Sequence, residues 1–171
     1  PELKFHFPVP EKWKLINSPA QVQIAPEDGK AMIVFDLAQE KSLNEAKDKV
    51  IKDNNLTVLE STNVRVNGLP AIALLSDVLP APAANGQQQQ DQSPPLKVLT
   101  YLIEYNGLIY KFHGLSVKSD FNTYFSNFQN TMKNFKVLTD QAKINKKPTL
   151  IKIVESRKTA SLLQLLQENN M

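Results

Sequence analysis

Two Asn-Gly pairs, Asn67-Gly68 and Asn106-Gly107, each stand between two runs rich in Val, Ile, Leu, Thr and Tyr. Asn and Gly both tolerate the positive φ that a two-residue type I′ turn demands, so each pair closes an antiparallel hairpin. The spacing predicts strands over residues 57–66 and 70–78 around the first turn, and over 97–105 and 108–116 around the second. Together they form a meander of antiparallel strands.

Upstream, four shorter stretches read as β-type: residues 4–7, 13–17, 21–25 and 31–37. Val22 and Ile24 alternate with Gln21 and Gln23, and Pro26-Glu-Asp-Gly29 is a turn by composition, so residues 21–37 predict a further hairpin. Ser42 with Glu45 three residues on is a capping box, in which side chains satisfy the orphan N–H groups of a helix start. Leu43, Ala46 and Val50 follow at helical spacing, which predicts a helix to about Asp53. A second helix is predicted from Ser119 or Asp120 to about Asn134. There Phe121, Tyr124, Phe125, Phe128, Met132 and Phe135 recur every three or four residues, a stripe wide enough to cover a sheet face. The fold class is therefore α+β, an antiparallel β-sheet meander with helices packed on its faces.

Residues 79–95 hold Pro80, Pro82, Pro94, Pro95 and the run Gln87 to Gln90, and no apolar periodicity survives there. They are expected to form an exposed insertion between strands. After Thr139 the pattern changes again: a basic linker, a lone strand over 150–154, and a short helix over 159–167 with Leu162, Leu163, Leu165 and Leu166. This segment has too little surface for a core of its own. The expected organisation is one domain over 1–140, followed by a linker and the start of an incomplete module over 141–171, a short C-terminal strand-helix appendage.

Composition narrows the chemistry. Apolar residues make up 42% and charged residues 22%, the balance of a chain that folds, and no apolar run reaches the roughly 20 residues that span a bilayer. With no Cys there are no disulfides, thiolate nucleophiles or Cys-based zinc sites. The two histidines, His6 and His113, each sit in a strand context beside Phe residues, and neither belongs to an HExxH helix that would put two zinc ligands on one face. GxSxG, P-loop and GxGxxG segments are missing, and no carboxylate pair stands out as an acid/base couple. The chain is accordingly read as a non-enzyme without catalytic, metal or cofactor-binding residues.

Residues 1–140 carry 14 Lys and Arg against 15 Asp and Glu, so the net charge of +3 resides in the tail. Lys143, Lys146, Lys147, Arg157 and Lys158 are the candidate partner surface, together with the insertion, because loops and tails commonly carry contacts. Without interleaved aromatics for base stacking the tail is not read as a nucleic-acid arm, whereas peripheral attraction to an anionic membrane surface is allowed.

Three stretches resemble a known family: Phe7-Pro-Val-Pro-Glu-Lys-Trp13, Val64-Arg-Val-Asn-Gly-Leu-Pro-Ala71, and Tyr110-Lys-Phe-His-Gly114 with the aromatic helix ending Met132-Lys-Asn-Phe135. Over about residues 4–139 they look like the α/β/α sandwich of PsbP-like proteins, a fold shared with the DcrB lipoproteins. Asn17-Ser-Pro-Ala-Gln-Val-Gln-Ile24, Asp28-Gly-Lys-Ala31, Thr57-Val-Leu-Glu-Ser61 and Lys143-Ile-Asn-Lys-Lys-Pro148 resemble the non-catalytic region that follows the peptidase domain in exported bacterial HExxH zinc metallopeptidases. The resemblance implies an accessory, protein-interaction domain in the periplasm or cell envelope. Its partners would be its own or another peptidase domain, or envelope proteins, with zinc confined to a separate catalytic domain. The rival reading is a stand-alone PsbP/DcrB-like periplasmic or lipoprotein binding domain.

Overall fold

The computed structural model describes residues 4–78 and 94–144. Strands β1 (Phe5–His6), β2 (Lys14–Asn17), β3 (Val22–Ala25) and β4 (Ala31–Ala38) lead into helix α1 (Leu43–Asp53). Then come β5 (Leu56–Val66), β6 (Leu69–Val78), β7 (Leu96–Tyr105) and β8 (Leu108–Val117), helix α2 (Phe121–Lys133), β9 (Lys136–Val137) and a single turn, α3 (Gln141–Ile144). Residues 4–138 belong to one compact unit, and residues 139–144 lie outside it. The expected strand over 150–154 and helix over 159–167 lie outside the described residues, as does all of the expected insertion except Pro94 and Pro95.

Seven strands form one antiparallel sheet in the order β2-β3-β4-β8-β7-β6-β5. Both Asn-Gly turns work as expected: Asn67 and Gly68 have φ of 49° and 87°, Asn106 and Gly107 of 54° and 74°. Helix α1 carries the chain from β4, inside the sheet, to the far edge at β5, and the meander then returns until β8 pairs with β4. Ser42 Oγ accepts the Glu45 N–H, while the Glu45 carboxylate takes the N–H of Lys41. The helix ends at Asn54, and Asn55 turns the chain away at φ 53°.

Each helix covers one face. Against α2, buried Ile33, Phe35, Tyr101, Tyr110 and Phe112 meet Phe121, Phe128, Met132 and Phe135. Each of the largest side chains there contributes about 1.5–3 kcal/mol of burial free energy. Against α1 a smaller cluster forms from Ala46, Val50, Leu56, Val98, Leu102 and Ile109.

Residues 4–7 do not join the main sheet; β1 pairs with β9 in a two-stranded ribbon, Phe5 opposite Val137. The ribbon tethers the first and last segments of the unit and delivers Phe5 and Phe7 onto the α2 face. Their rings lie 5.0 Å from Tyr110 and Phe112 respectively, between centroids.

Candidate functional site

Alternation along the strands assigns each residue to a face, and the α1 side holds an unusual row. Registers place Gln23 beside Val34, Val34 beside His113, His113 beside Thr100, and Thr100 beside Leu74. His113 Nδ1 and Thr100 Oγ1 are 2.9 Å apart, and Thr100 is fully buried. Ser76, also fully buried on this face, has a hydroxyl without a hydrogen-bond partner among the described residues. Polar groups sit here where a two-layer core would take Val or Leu.

Helix α1 packs chiefly on β5, β6 and β7, and beside it lies an open cleft of about 350 Å³. Its floor is Val34, Leu56, Val78, Leu96, Val98 and Leu115, and its polar groups are Gln21, Asp36, Asn54, Lys111 and His113. A second hollow of about 310 Å³ shares Asp36, Asn54 and Lys111 and adds Glu40, Lys49 and Asp53. The volume of the main cleft is at the lower end of small-molecule and side-chain acceptor sites.

Its electrostatics follow from partial burial. Desolvation, with a smaller repulsion from Lys111, lowers the His113 imidazole from 6.5 to about 4, so the ring is neutral at pH 7. Desolvation raises the Asp36 carboxyl above its ordinary value, and attraction to Lys111 offsets only part of this. Lys111 Nζ stands 3.4 Å from Asp36 Oδ1, an ion pair whose geometry leaves that buried oxygen without a hydrogen bond.

Lys143 belongs to α3, and Lys146, Lys147, Arg157 and Lys158 lie outside the described residues. His6 is exposed and lines a separate shallow pocket with Asn134 and Lys136. His113 lines the cleft beside α1. Its pairing was available from the turn: six residues back from Asn106 and six on from Gly107 bring Thr100 opposite His113. Asp36 and Lys111 carry no such local signal, because they meet through the non-local pairing of β4 with β8. Among the described residues no group of three or more His, Cys, Asp or Glu could hold a metal ion, and no helix is long and apolar enough to cross a membrane.

Neither a protein-family model nor a curated protein matches the sequence. Solved structures do. The cyanobacterial PsbP protein CyanoP from Synechocystis sp. PCC 6803 superposes with a TM-score of 0.57 at 15% identity, over 80% of this chain and 88% of that one. LpqN of Mycobacterium tuberculosis, involved in cell envelope biogenesis, gives 0.53 at 13% identity, over 78% and 83%. The Ran-binding protein Mog1p of Saccharomyces cerevisiae gives 0.52 at 15% identity, over 79% and 90%. At such identities it is the architecture that is shared: an α+β antiparallel sheet with a helix on each face, which is the PsbP-like fold.

Proposed function

We propose that this chain is a non-catalytic binding domain that acts by protein recognition, as the accessory domain of a zinc metallopeptidase of the bacterial cell envelope. The cleft beside α1 is the observation that carries the binding part. It joins an apolar floor to a neutral imidazole and an incompletely bonded ion pair. These groups suit holding a ligand. His113 is bonded to a threonine hydroxyl and its pKa is about 4, far below the range of a base poised for work near neutral pH.

The fold supports a protein partner, since one of the proteins that share it is named for binding Ran. An envelope location is supported by LpqN and by the likeness of residues 17–24, 28–31, 57–61 and 143–148 to the region behind exported peptidases. Zinc then belongs to the peptidase domain. The stand-alone periplasmic or lipoprotein domain is the competing reading.

Affinity capture from a bacterial envelope extract with the tagged 171-residue chain, followed by mass spectrometry, tests this. Recovery of a protein containing HExxH, or an HExxH segment encoded in the same reading frame, is the expected outcome. Recovery of envelope proteins without peptidase motifs favours the stand-alone domain. Capture of neither class overturns both.

A further inference from the structure

We infer that the cleft beside α1 receives an aliphatic side chain from a partner polypeptide, with a Lys or Arg of the same segment set against the carboxylates of Asp36 and Glu40. This rests on the reading of the chain as a protein-binding domain and names the chemistry of its partner.

Shape argues for a side chain. The floor is made of branched aliphatic residues from five strands, and the hollow is about 350 Å³ and open at the surface, room for one or two apolar side chains. Val34, Leu96 and Leu115 are only partly buried, so part of the apolar surface of this sheet face has yet to be removed from water. Filling it gains hydrophobic free energy without moving the backbone.

Charge argues for a cation beside it. The adjoining hollow is lined by Asp36, Glu40 and Asp53 against Lys49 and Lys111, one negative charge in excess. Both lysines are engaged: Lys49 Nζ lies 2.9 Å from Asp53 and Lys111 Nζ 3.4 Å from Asp36. Asp36 keeps about a quarter of its side chain exposed, and Glu40 is drawn to Lys49 more weakly than Asp53 is. An incoming cation balances the excess negative charge at the exposed parts of these two carboxylates, whereas an anionic segment meets two lysines already spent on Asp36 and Asp53.

The test uses the full chain with methyl-labelled Val and Leu, observed by NMR during titration with the blocked dipeptide acetyl-Leu-Arg-amide. Saturable shifts are expected at Val34, Val98 and Leu115 and at the His113 ring, with affinity in the millimolar range. Acetyl-Leu-Glu-amide is expected to bind at least about threefold more weakly, the scale of an exposed charge pair. Glu40→Lys, on the rim, narrows or inverts that preference without touching the floor, and Val34→Phe fills the cleft and removes both responses. No shift at these groups overturns the inference, as do equal responses to the two peptides or to 1-hexanol at the same concentration. If both variants still capture the wild-type partner, the domain reading survives and this surface alone is excluded.

Discussion

Replacing Gly114 by Ala adds one methyl group where the core has no room for it. Gly114 lies in β8 under the ring of Phe128, and a Cβ there would stand 2.5, 2.7 and 2.9 Å from Phe128 Cγ, Cδ1 and Cβ. Carbon atoms pack at about 3.5 Å or more, so strand and ring have to separate by about 0.5–1 Å. Phe128 has nowhere to go: it is fully buried, with Phe121, Trp13 and Tyr124 at centroid distances of 5.7, 6.2 and 6.5 Å. The cost is expected near the upper part of the range for overpacking, about 2–3 kcal/mol. Urea unfolding at unchanged m-value measures it. Phe128→Ala alone costs about 3–5 kcal/mol through lost burial, but in the double variant it also removes Cγ and Cδ1, the two atoms nearest the added methyl group. The two costs should then fall short of their sum by about 1 kcal/mol or more. A Gly114→Ala protein within about 0.5 kcal/mol of the wild type, or a strictly additive cycle, refutes the steric account.

Asn67→Gly keeps the positive-φ turn but loses the amide that donates to the carbonyls of Lys133 and Phe135 at 2.9 and 2.8 Å; an unfolding cost of about 1–2 kcal/mol is expected, with exchange protection falling first at the end of α2. His113 has a folded-state pKa of about 4 against 6.5 unfolded, so its contribution is complete above about pH 6.5 and is lost as pH falls toward 4, by at most about 3 kcal/mol. Comparing pH-dependent stabilities of the wild type and His113→Gln checks this; an unchanged acid limb in the variant excludes it. Lys111→Met strips the half-buried Asp36 of its counter-charge and should cost about 1–2 kcal/mol at pH 7. Because burial already raises the Asp36 pKa, that penalty should shrink as pH falls and the carboxyl protonates, which denaturant titrations at pH 7 and pH 4.5 would reveal.

The elements that sequence predicts well are those whose cause is local. Turn chemistry at Asn67-Gly68 and Asn106-Gly107 fixes two hairpins and their registers, and the Ser42 cap fixes the start of α1. The stripe from Phe121 to Phe135 marks the buried face of α2, and Asp120, which precedes the helix, makes no side-chain capping bond to it. Gly114 shows the boundary. It stands in the motif that carries the PsbP-like resemblance, yet nothing along the chain says why a glycine is required there. The reason is Phe128, which the fold brings over it from another element. Likewise Asn67 reads as a turn residue, while its second task, holding the end of α2, depends on contacts across more than 60 residues.

The cleft is a consequence of the same geometry. Seven strands spaced about 4.8 Å apart make a sheet roughly 29 Å wide, and one helix with its side chains covers only about 10–12 Å of it. A single helix per face therefore cannot finish either layer. On the α2 side the remainder is filled by Phe5, Phe7 and Trp13, brought there by the β1–β9 ribbon and the segment after it. On the α1 side no counterpart exists among the described residues, and the uncovered strip runs through Leu115, His113 and Val34 to Ile16, which is 63% exposed on the edge strand β2. An unfinished layer that keeps a polar row in its floor loses stability relative to one filled with aliphatic side chains. His113→Leu then separates the two roles of the row. If the row serves only the fold, the variant loses stability, because the buried Thr100 hydroxyl is left without its partner, and binds the leucyl-arginine probe as before; if it serves recognition, the affinity for that probe falls.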